Sequence, residues 1–310
     1  MRKPVKELQL ATLSAEAPEG DAWVHEQKFD GYRILALRDG DDVQLLSRRF
    51  RDWTAQFQPI AAAVGRLPVH QIAIDGEVCV LAPDGRTSFQ ALQNASATDA
   101  ALVYFVFDLL SIEGDDVTKL PLEQRKARLH TLVKGSGVLR YSDHVIGHGR
   151  AAFARACALG IEGIVSKRRD QPYAPGRGRT WLKTKCIQRQ ELVIGGYTDP
   201  DGARTGLGAL LVGYYAGPKL VYAGKVGTGF SLKTLATLRE ELEPLVRPTS
   251  PFDPEPARAR TGPRRHWVEP LLVGEVAFAE WTADGRLRHP SFQGLRLDKV
   301  PTEVVRETTR

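Results

Sequence analysis

Cysteine is scarce in this chain and poorly spaced for shared chemistry. The three cysteines, Cys79, Cys157 and Cys186, stand far apart, with no CxxC pair among them. That spacing argues against a structural zinc site and against a disulfide framework; the expectation is three inert or buried thiols in a reducing cytoplasm. Long apolar runs are missing as well. No stretch approaches the roughly 20 residues of a membrane span, and the opening "MRKPVKELQLATLS" lacks the apolar core of a secretory signal. Internal repeats and coiled-coil heptads are also absent. Secreted disulfide scaffolds, membrane proteins and solenoids are thereby set aside, and a soluble cytoplasmic protein is expected.

What is present suits an ordinary globular chain. Its 310 residues are enough for two domains with a sizeable core, and 42% hydrophobic with 26% charged residues is a usual balance. A net charge of +6 is compatible with a polyanionic partner and does not require one.

Residues 1–22 read as a polar segment wrapping the surface. Strand-like runs follow in "DAWVHEQK", "RILALR", "DVQLLSR", "HQIAIDGEVCVL" and "ALVYFVFDLL", the last apolar enough to be buried on both faces. The second and third of these form a hairpin turning at Asp39–Asp42. "DWTAQFQPIAAAVGRL" reads as helical with a break at Pro59. "LPLEQRKARLHTLV" starts a helix at Pro121, and "GRAAFARACALG" ends one at Gly160. From about Glu191 the texture changes to short strands with glycine-rich turns, one helix capped by Ser231, and a Pro/Arg-rich loop "RPTSPFDPEPARARTGPRRH". Five or so strands with one helix predict a small Greek-key barrel of the OB type. The fold class is therefore α+β, with a boundary near Ile187–Gln190.

The charged stretches each carry two readings. Lys28 in "HEQKFDGYR" is a solvated strand-end lysine or a nucleophile, with Gly31 permitting close approach and Arg33 as a second cation. In "IDGEV", Asp75 and Glu77 share a strand face, or mark a turn. Phe107 is a core residue or a stacking platform for a base. "LGIEGIVSK" sets Glu162 and Lys167 along a strand, and "TWLKTKC" places Trp181, Lys183 and Lys185 on one face, as an anion clamp or an exposed edge. The basic loop "KRRDQPYAPGRGRT" between them suits a phosphate backbone.

In this order "KFDGYR", "LLSRR", "IDGEV", "FVFDLL", "EGIVSK", "WLKTKC" and "RHPSFQGLRLDK" resemble the motifs of the covalent nucleotidyltransferases, which comprise ATP-dependent DNA ligases, RNA ligases and capping enzymes. The match runs from Trp23 to Lys299, and "GRGRTWLKTKC" and "YAGKVGTGFS" bring it nearest to the ligase modules of bacterial end-joining ligases of the LigD type. The resemblance implies an α+β nucleotidyltransferase (ATP-grasp-like) domain of antiparallel sheets and helices over residues 1–187, then an OB-fold β-barrel over 188–310. It implies ATP and a divalent cation (Mg2+ or Mn2+) as cofactors.

Lys28 would then be the catalytic lysine that forms lysyl-AMP. Glu26, Arg33, Glu77, Phe107, Lys183, Lys185, Arg288, Arg296, Asp298 and Lys299 would contact ATP. Glu77 and Glu162 would hold the metal, and Arg33, Arg48, Arg177 and Arg179 would contact DNA. Partners would be nicked or broken duplex DNA, with a Ku-type end-binding protein and polymerase or nuclease modules, and the chain would act as a monomer. One departure is visible. Where the family commonly has Arg-Asn-Gly, this chain reads Arg48-Arg49-Phe50, which leaves the shape of that turn open. The rivals are an RNA ligase or capping enzyme, and a catalytically silent DNA-binding module. An NAD-dependent ligase is disfavoured, because 27 residues before Lys28 are too few for a nicotinamide-binding domain.

Overall fold

A computed structural model describes residues 5–82, 85–87, 89–94, 102–200, 206–257 and 263–308. The middle of the Pro/Arg-rich loop (258–262) and the turn at 201–205 lie outside the described residues. Two compact units divide the chain, one reaching Cys186 and the other spanning Ile187–Thr308.

The first unit contains β1 (Gln9–Leu13), β2 (Trp23–Gln27), β3 (Tyr32–Asp39), β4 (Asp42–Ser47), β5 (Gln71–Val80), β6 (Leu102–Ile112), β7 (Asp115–Asp116), β8 (Leu139–Tyr141), β9 (His144–Ile146), β10 (Gly163–Arg168) and β11 (Gly176–Lys185). Its helices are α1 (Gln58–Gly65), α2 (Phe89–Asn94), α3 (Leu122–Val133) and α4 (Gly149–Ala158). The strands form two sheets, ordered β1-β11-β10-β2-β9 and β4-β3-β5-β6-β7, with β8 beside β6. Side chains alternate across each strand, so β3 and β5 serve two cores. Leu35, Leu37 and Ala73 pack with Phe107 and Trp181. Ile34, Ala36 and Ile74 point the other way, into a larger core closed by Ile60 of α1 and Leu129 of α3. The β3–β4 hairpin turns at Asp39–Asp42 as the sequence predicts.

Three local expectations change. Pro59 does not break a helix. It occupies the first turn of a single α1, where its missing N–H has no partner to lose. Residues 1–22 do not merely wrap the surface. Gln9–Leu13 add a strand that runs parallel to β11, and Leu8 and Gln9 are buried. Five residues are too few to show their periodicity without the partner strand.

The third change concerns cysteine: Cys157 and Cys186 form a disulfide, with Cα atoms 5.3 Å apart. A backbone bond from Ile161 to the Ala156 carbonyl turns the chain back after α4, and one from Cys186 to the Glu162 carbonyl (2.9 Å) docks the end of β11 beside it. Contact made by folding, across 29 residues of sequence, is invisible in the spacing. Cys79 alone remains a free thiol among the described residues, and it is buried.

The second unit holds β12 (Gln188–Thr198), β13 (Leu210–Ala216), β14 (Lys219–Val226), α5 (Leu232–Leu242), β15 (Val246–Arg247), β16 (Arg265–Phe278), β17 (Glu280–Trp281), β18 (Leu287–Arg288) and β19 (Ser291–Leu295). The main sheet runs β14-β13-β12-β16-β15, with β19 also on β16. A register shift between Ile194 and Gly196 interrupts β12 against both of its neighbours, a bulge that bends the sheet. Ser231 caps α5, its side chain accepting from the Thr234 amide, as the sequence predicts. Leu192, Val212, Leu238, Val276 and Phe292 fill the core of this OB-type unit. Among the described residues no helix is long and apolar enough to cross a membrane.

Candidate active site

The chain leaves β2 at Gln27 and crosses to the second sheet through Lys28–Gly31. The Lys28 amide is fixed to the Gly163 carbonyl (2.9 Å), which places its side chain beside the start of β10. There the Lys28 Nζ meets Glu162 Oε2 at 2.5 Å; the lysine side chain is 23% exposed and the carboxylate 4%. Gly31 is obligatory, since a Cβ would collide with the Val78 carbonyl and Cys79 Sγ. Burial raises the Cys79 thiol pKa well above its ordinary value, and Glu77, Asp30 and Glu162 push it further while Lys28 opposes them. The Lys28–Glu162 pair and Glu77 and Asp30 thus all act on the same buried thiol, at one point of the fold.

An open cleft of about 130 Å³ adjoins that point, lined by Lys28, Arg33, Glu77, Phe107, Lys167 and Trp181 among others. Phe107 and Trp181 meet edge to face, with centroids 6.0 Å apart. The Lys167 Nζ lies 4.2 Å from each ring centroid. Unbroken pairing of β10 with β11 sets Lys167 opposite Trp181, Val165 opposite Lys183 and Gly163 opposite Lys185. Opposed residues share a face, so Lys183 and Lys185 continue the cleft face of β11 towards the end that carries Glu162.

Arg33 is held by Asp75, with Nε and Nη2 on the two carboxylate oxygens at 2.9 and 2.5 Å, and by the Gln9 carbonyl at 2.6 Å. Burial, the largest single cause, would lower its pKa, but Asp75, Tyr173 and Glu77 together outweigh burial and the guanidinium stays charged. Glu26 is the most enclosed of the expected residues, its side chain 2% exposed. Lys126 takes Oε1 (2.8 Å), while Lys167 (2.8 Å) and Ser142 Oγ (2.9 Å) take Oε2. Burial would raise the carboxyl pKa, but the two ammonium groups, Lys126 ahead of Lys167, hold it below the ordinary value.

The expected DNA contacts are spread more widely. Arg48 lies in the turn after β4, and Arg177 and Arg179 are exposed on β11, where Arg177 donates to the Ala11 carbonyl (2.6 Å). The Arg48-Arg49-Phe50 turn keeps a tight shape. Phe50 takes the left-handed conformation (φ 59°) usually left to glycine, and its amide bonds the Ser47 carbonyl (2.7 Å). Its ring packs against the inter-sheet core, which offsets the strain.

The remaining expected residues belong to the second unit. Arg296 pairs with Asp298 through two bonds of 2.8 Å and with Glu275 at 2.7 Å, and Lys299 pairs with Glu191 at 2.7 Å. Arg288 makes a separate, exposed pair with Glu280 (2.6 Å).

Sequence reasoning missed the supports of the site. Asp108, next to Phe107, is gripped by Arg125 at 2.7 and 2.9 Å, and both side chains are fully buried. Lys126 and Ser142 hold Glu26, and Tyr173 donates to Asp75 (2.8 Å). The sequence singles out Lys167 in "LGIEGIVSK" but gives it no role in the site. Arg125 and Lys126 sit in "EQRKAR", whose pattern reads as the wet face of a helix.

The ATP dependent DNA ligase domain family matches residues 6–185, and the ATP dependent DNA ligase C terminal region matches 203–299. The multifunctional non-homologous end joining protein LigD of Pseudomonas aeruginosa is 41% identical over 306 residues, covering 96% of this chain and 36% of that protein. Its counterpart in Mycobacterium tuberculosis is 42% identical, covering 92% and 37%. The chain thus spans little more than a third of the length of these relatives. Among solved structures, a mycobacterial DNA ligase D complexed with ATP and MES superposes with a TM-score of 0.74 at 40% identity, covering 97% of this chain and 98% of that one. The ligase domain of M. tuberculosis LigD gives 0.55 at 39%. The chain belongs to the ATP-dependent DNA ligases.

Proposed function

We propose that this chain joins the 5′-phosphate and 3′-hydroxyl of nicked or broken DNA through a lysyl-adenylate on Lys28, in the service of end joining. The observation that carries the reading is the Lys28–Glu162 contact at the mouth of a cleft lined by Phe107, Glu77 and Arg33. The kinship with LigD supports the repair context, with broken duplex ends as substrate and a Ku-type end-binding protein and polymerase or nuclease modules as partners.

In the first step Lys28 Nζ attacks the α-phosphorus of ATP. A P–N bond forms, the P–O bond to pyrophosphate breaks, and the lysine must first give up a proton. Glu162, at 2.5 Å, is placed to take it or to pass it to solvent. Phe107 offers a ring edge or face to adenine, and Lys183 and Lys185 offset charge on the phosphates. The adenylate then passes to a DNA 5′-phosphate, and the 3′-hydroxyl displaces AMP. Each step is displacement at phosphorus, so positioning and charge neutralisation do most of the work.

Among the described residues no group of three or more His, Cys, Asp or Glu gathers as a ready metal site. Glu77 and Glu162 nonetheless fit Mg2+ or Mn2+ in donor type, because such ions often take one or two carboxylates and complete their shell with substrate phosphates and water. Bound there, the ion would offset phosphate charge.

The test is incubation with α-labelled ATP or GTP and a divalent metal, followed by denaturing electrophoresis. Label should stay on the protein from ATP only, and Lys28→Ala should abolish it. Labelling from GTP would favour a capping enzyme, and no labelling would favour a silent DNA-binding module. Sealing tested on nicked DNA against nicked RNA separates a DNA ligase from an RNA ligase.

A further inference from the structure

Lys126 is a lysine almost without contact with water. It sits on α3 and is 1% exposed, and no step above uses it. Its Nζ donates to Glu26 Oε1 at 2.8 Å and to the Ser142 carbonyl at 3.0 Å, and lies 4.5 Å from the centroid of the Tyr141 ring. Lys167 approaches the same carboxylate from β10, on Oε2 at 2.8 Å. One buried carboxylate thus serves two ammonium groups on different elements. Of the two lysines, Lys167 lines the cleft, against Phe107 and Trp181.

A carboxylate paired with one buried lysine would compensate it fully. A carboxylate already engaged by a second, better-anchored lysine compensates the first only in part. We infer that Lys126 is a positioning residue for the nucleotide cleft: it pins Glu26 from α3 and leaves Lys167 with part of its charge free to meet an incoming phosphate or ribose. The inference rests on the proposed function only in taking the cleft as the nucleotide site.

The charged and titratable groups around Lys167 come from five elements: Glu26 on β2, Lys126 on α3, Asp108 on β6, Arg33 of β3 over the same two rings, and His144 on β9. Burial is the largest cause that brings the Lys167 pKa down to about 8; Glu26 opposes it and Lys126 reinforces it. Removing the Lys126 charge should therefore raise the Lys167 midpoint and draw its ammonium onto Glu26.

The experiment uses the full chain as wild type, Lys126→Gln, which keeps a hydrogen-bond donor without the charge, and Lys126→Arg, which keeps both. Lysine labelled with 13C at Cε reports the Lys167 midpoint by NMR, with Lys167→Arg providing the assignment. Lysyl-adenylate formation is followed in parallel across pH 6–10. The expected result for Lys126→Gln is a Lys167 midpoint raised by about one pH unit, a pH profile for adenylate formation displaced in the same direction, and formation at pH 7.5 slowed about tenfold or more. Lys126→Arg should stay within a few-fold of wild type. An unchanged midpoint in Lys126→Gln overturns the inference. So does a Gln variant that fails to fold while the Arg variant behaves as wild type, since Lys126 would then have a structural role alone. If the wild-type chain forms no adenylate, the proposed function fails, and the NMR midpoint still decides the role of Lys126.

Discussion

Asp75 receives Arg33 on both oxygens and the Tyr173 hydroxyl on one, with its own side chain fully buried. Removing one partner strands the other's charge in the interior, at a cost of about 3–5 kcal/mol. Asp75→Asn should accordingly lose close to that much in a denaturant titration, and Asp75→Leu combined with Arg33→Met should lose distinctly less. A double variant that loses as much as the Asp75→Leu and Arg33→Met single variants added together would show the pair is not coupled. Glu26 and Lys167 both make stability rise with pH, in different windows. The Glu26 carboxyl pKa is lowered by folding, so its contribution is present above the unfolded value near 4.5 and is lost as pH falls through the lower folded value. Lys167 is brought from 10.5 to about 8, so the unfolded chain binds more protons between those values and stability should rise with pH across that window. Glu26→Gln should flatten the acid limb of a stability–pH curve and Lys167→Met the alkaline one. An alkaline limb identical in Lys167→Met and wild type would contradict the second assignment. Lys28, Glu77 and Glu162 could be read from sequence because each stands in a short motif with glycine beside it. Lys126 could not, because a buried charge on α3 looks like a solvated one until the partner carboxylate, 100 residues away in sequence, is placed against it.

The link between α4 and β11 shows the same limit for whole elements. Strand and helix content were readable from periodicity, and the Ser231 cap and the β3–β4 turn from their own letters. The joining of Cys157 to Cys186 was not, because it depends on β10 bringing the end of β11 back to the end of α4. The disulfide closes a loop of 29 residues beside Glu162, whose carbonyl accepts the Cys186 amide. Chain entropy for a loop of that length amounts to about 3–4 kcal/mol of stabilisation. Reduction should lower the urea midpoint, and Cys157→Ser with Cys186→Ser should match the reduced wild type. Alkylation without reductant that modifies Cys157 or Cys186 in the folded or unfolded chain would show that the bond is not formed.

At the scale of the whole chain, the change of texture after Glu191 announced a second unit, because short strands with glycine turns and one helix bury their apolar faces only by curling into their own core. The wider charge pattern was harder to interpret. A net charge of +6 is modest for 310 residues, and many arginines are consumed internally, as Arg33, Arg125 and Arg296 show. The proposed DNA binding would then rest on exposed cations such as Arg177 and Arg179, on the outer part of β11. Each phosphate neutralised releases counterions and contributes about −0.9 to the slope of log K against log salt. Replacing both residues with glutamine should therefore make that slope shallower by about 1.8, with weaker binding at low salt and little sequence dependence. Anisotropy of a labelled nicked duplex, titrated at several salt concentrations, measures both quantities. An unchanged slope would move the DNA contact elsewhere, whereas a change of about 0.9 would mean that one of the two arginines reaches a phosphate and the other stays on the β1 side, as Arg177 does when it donates to the Ala11 carbonyl.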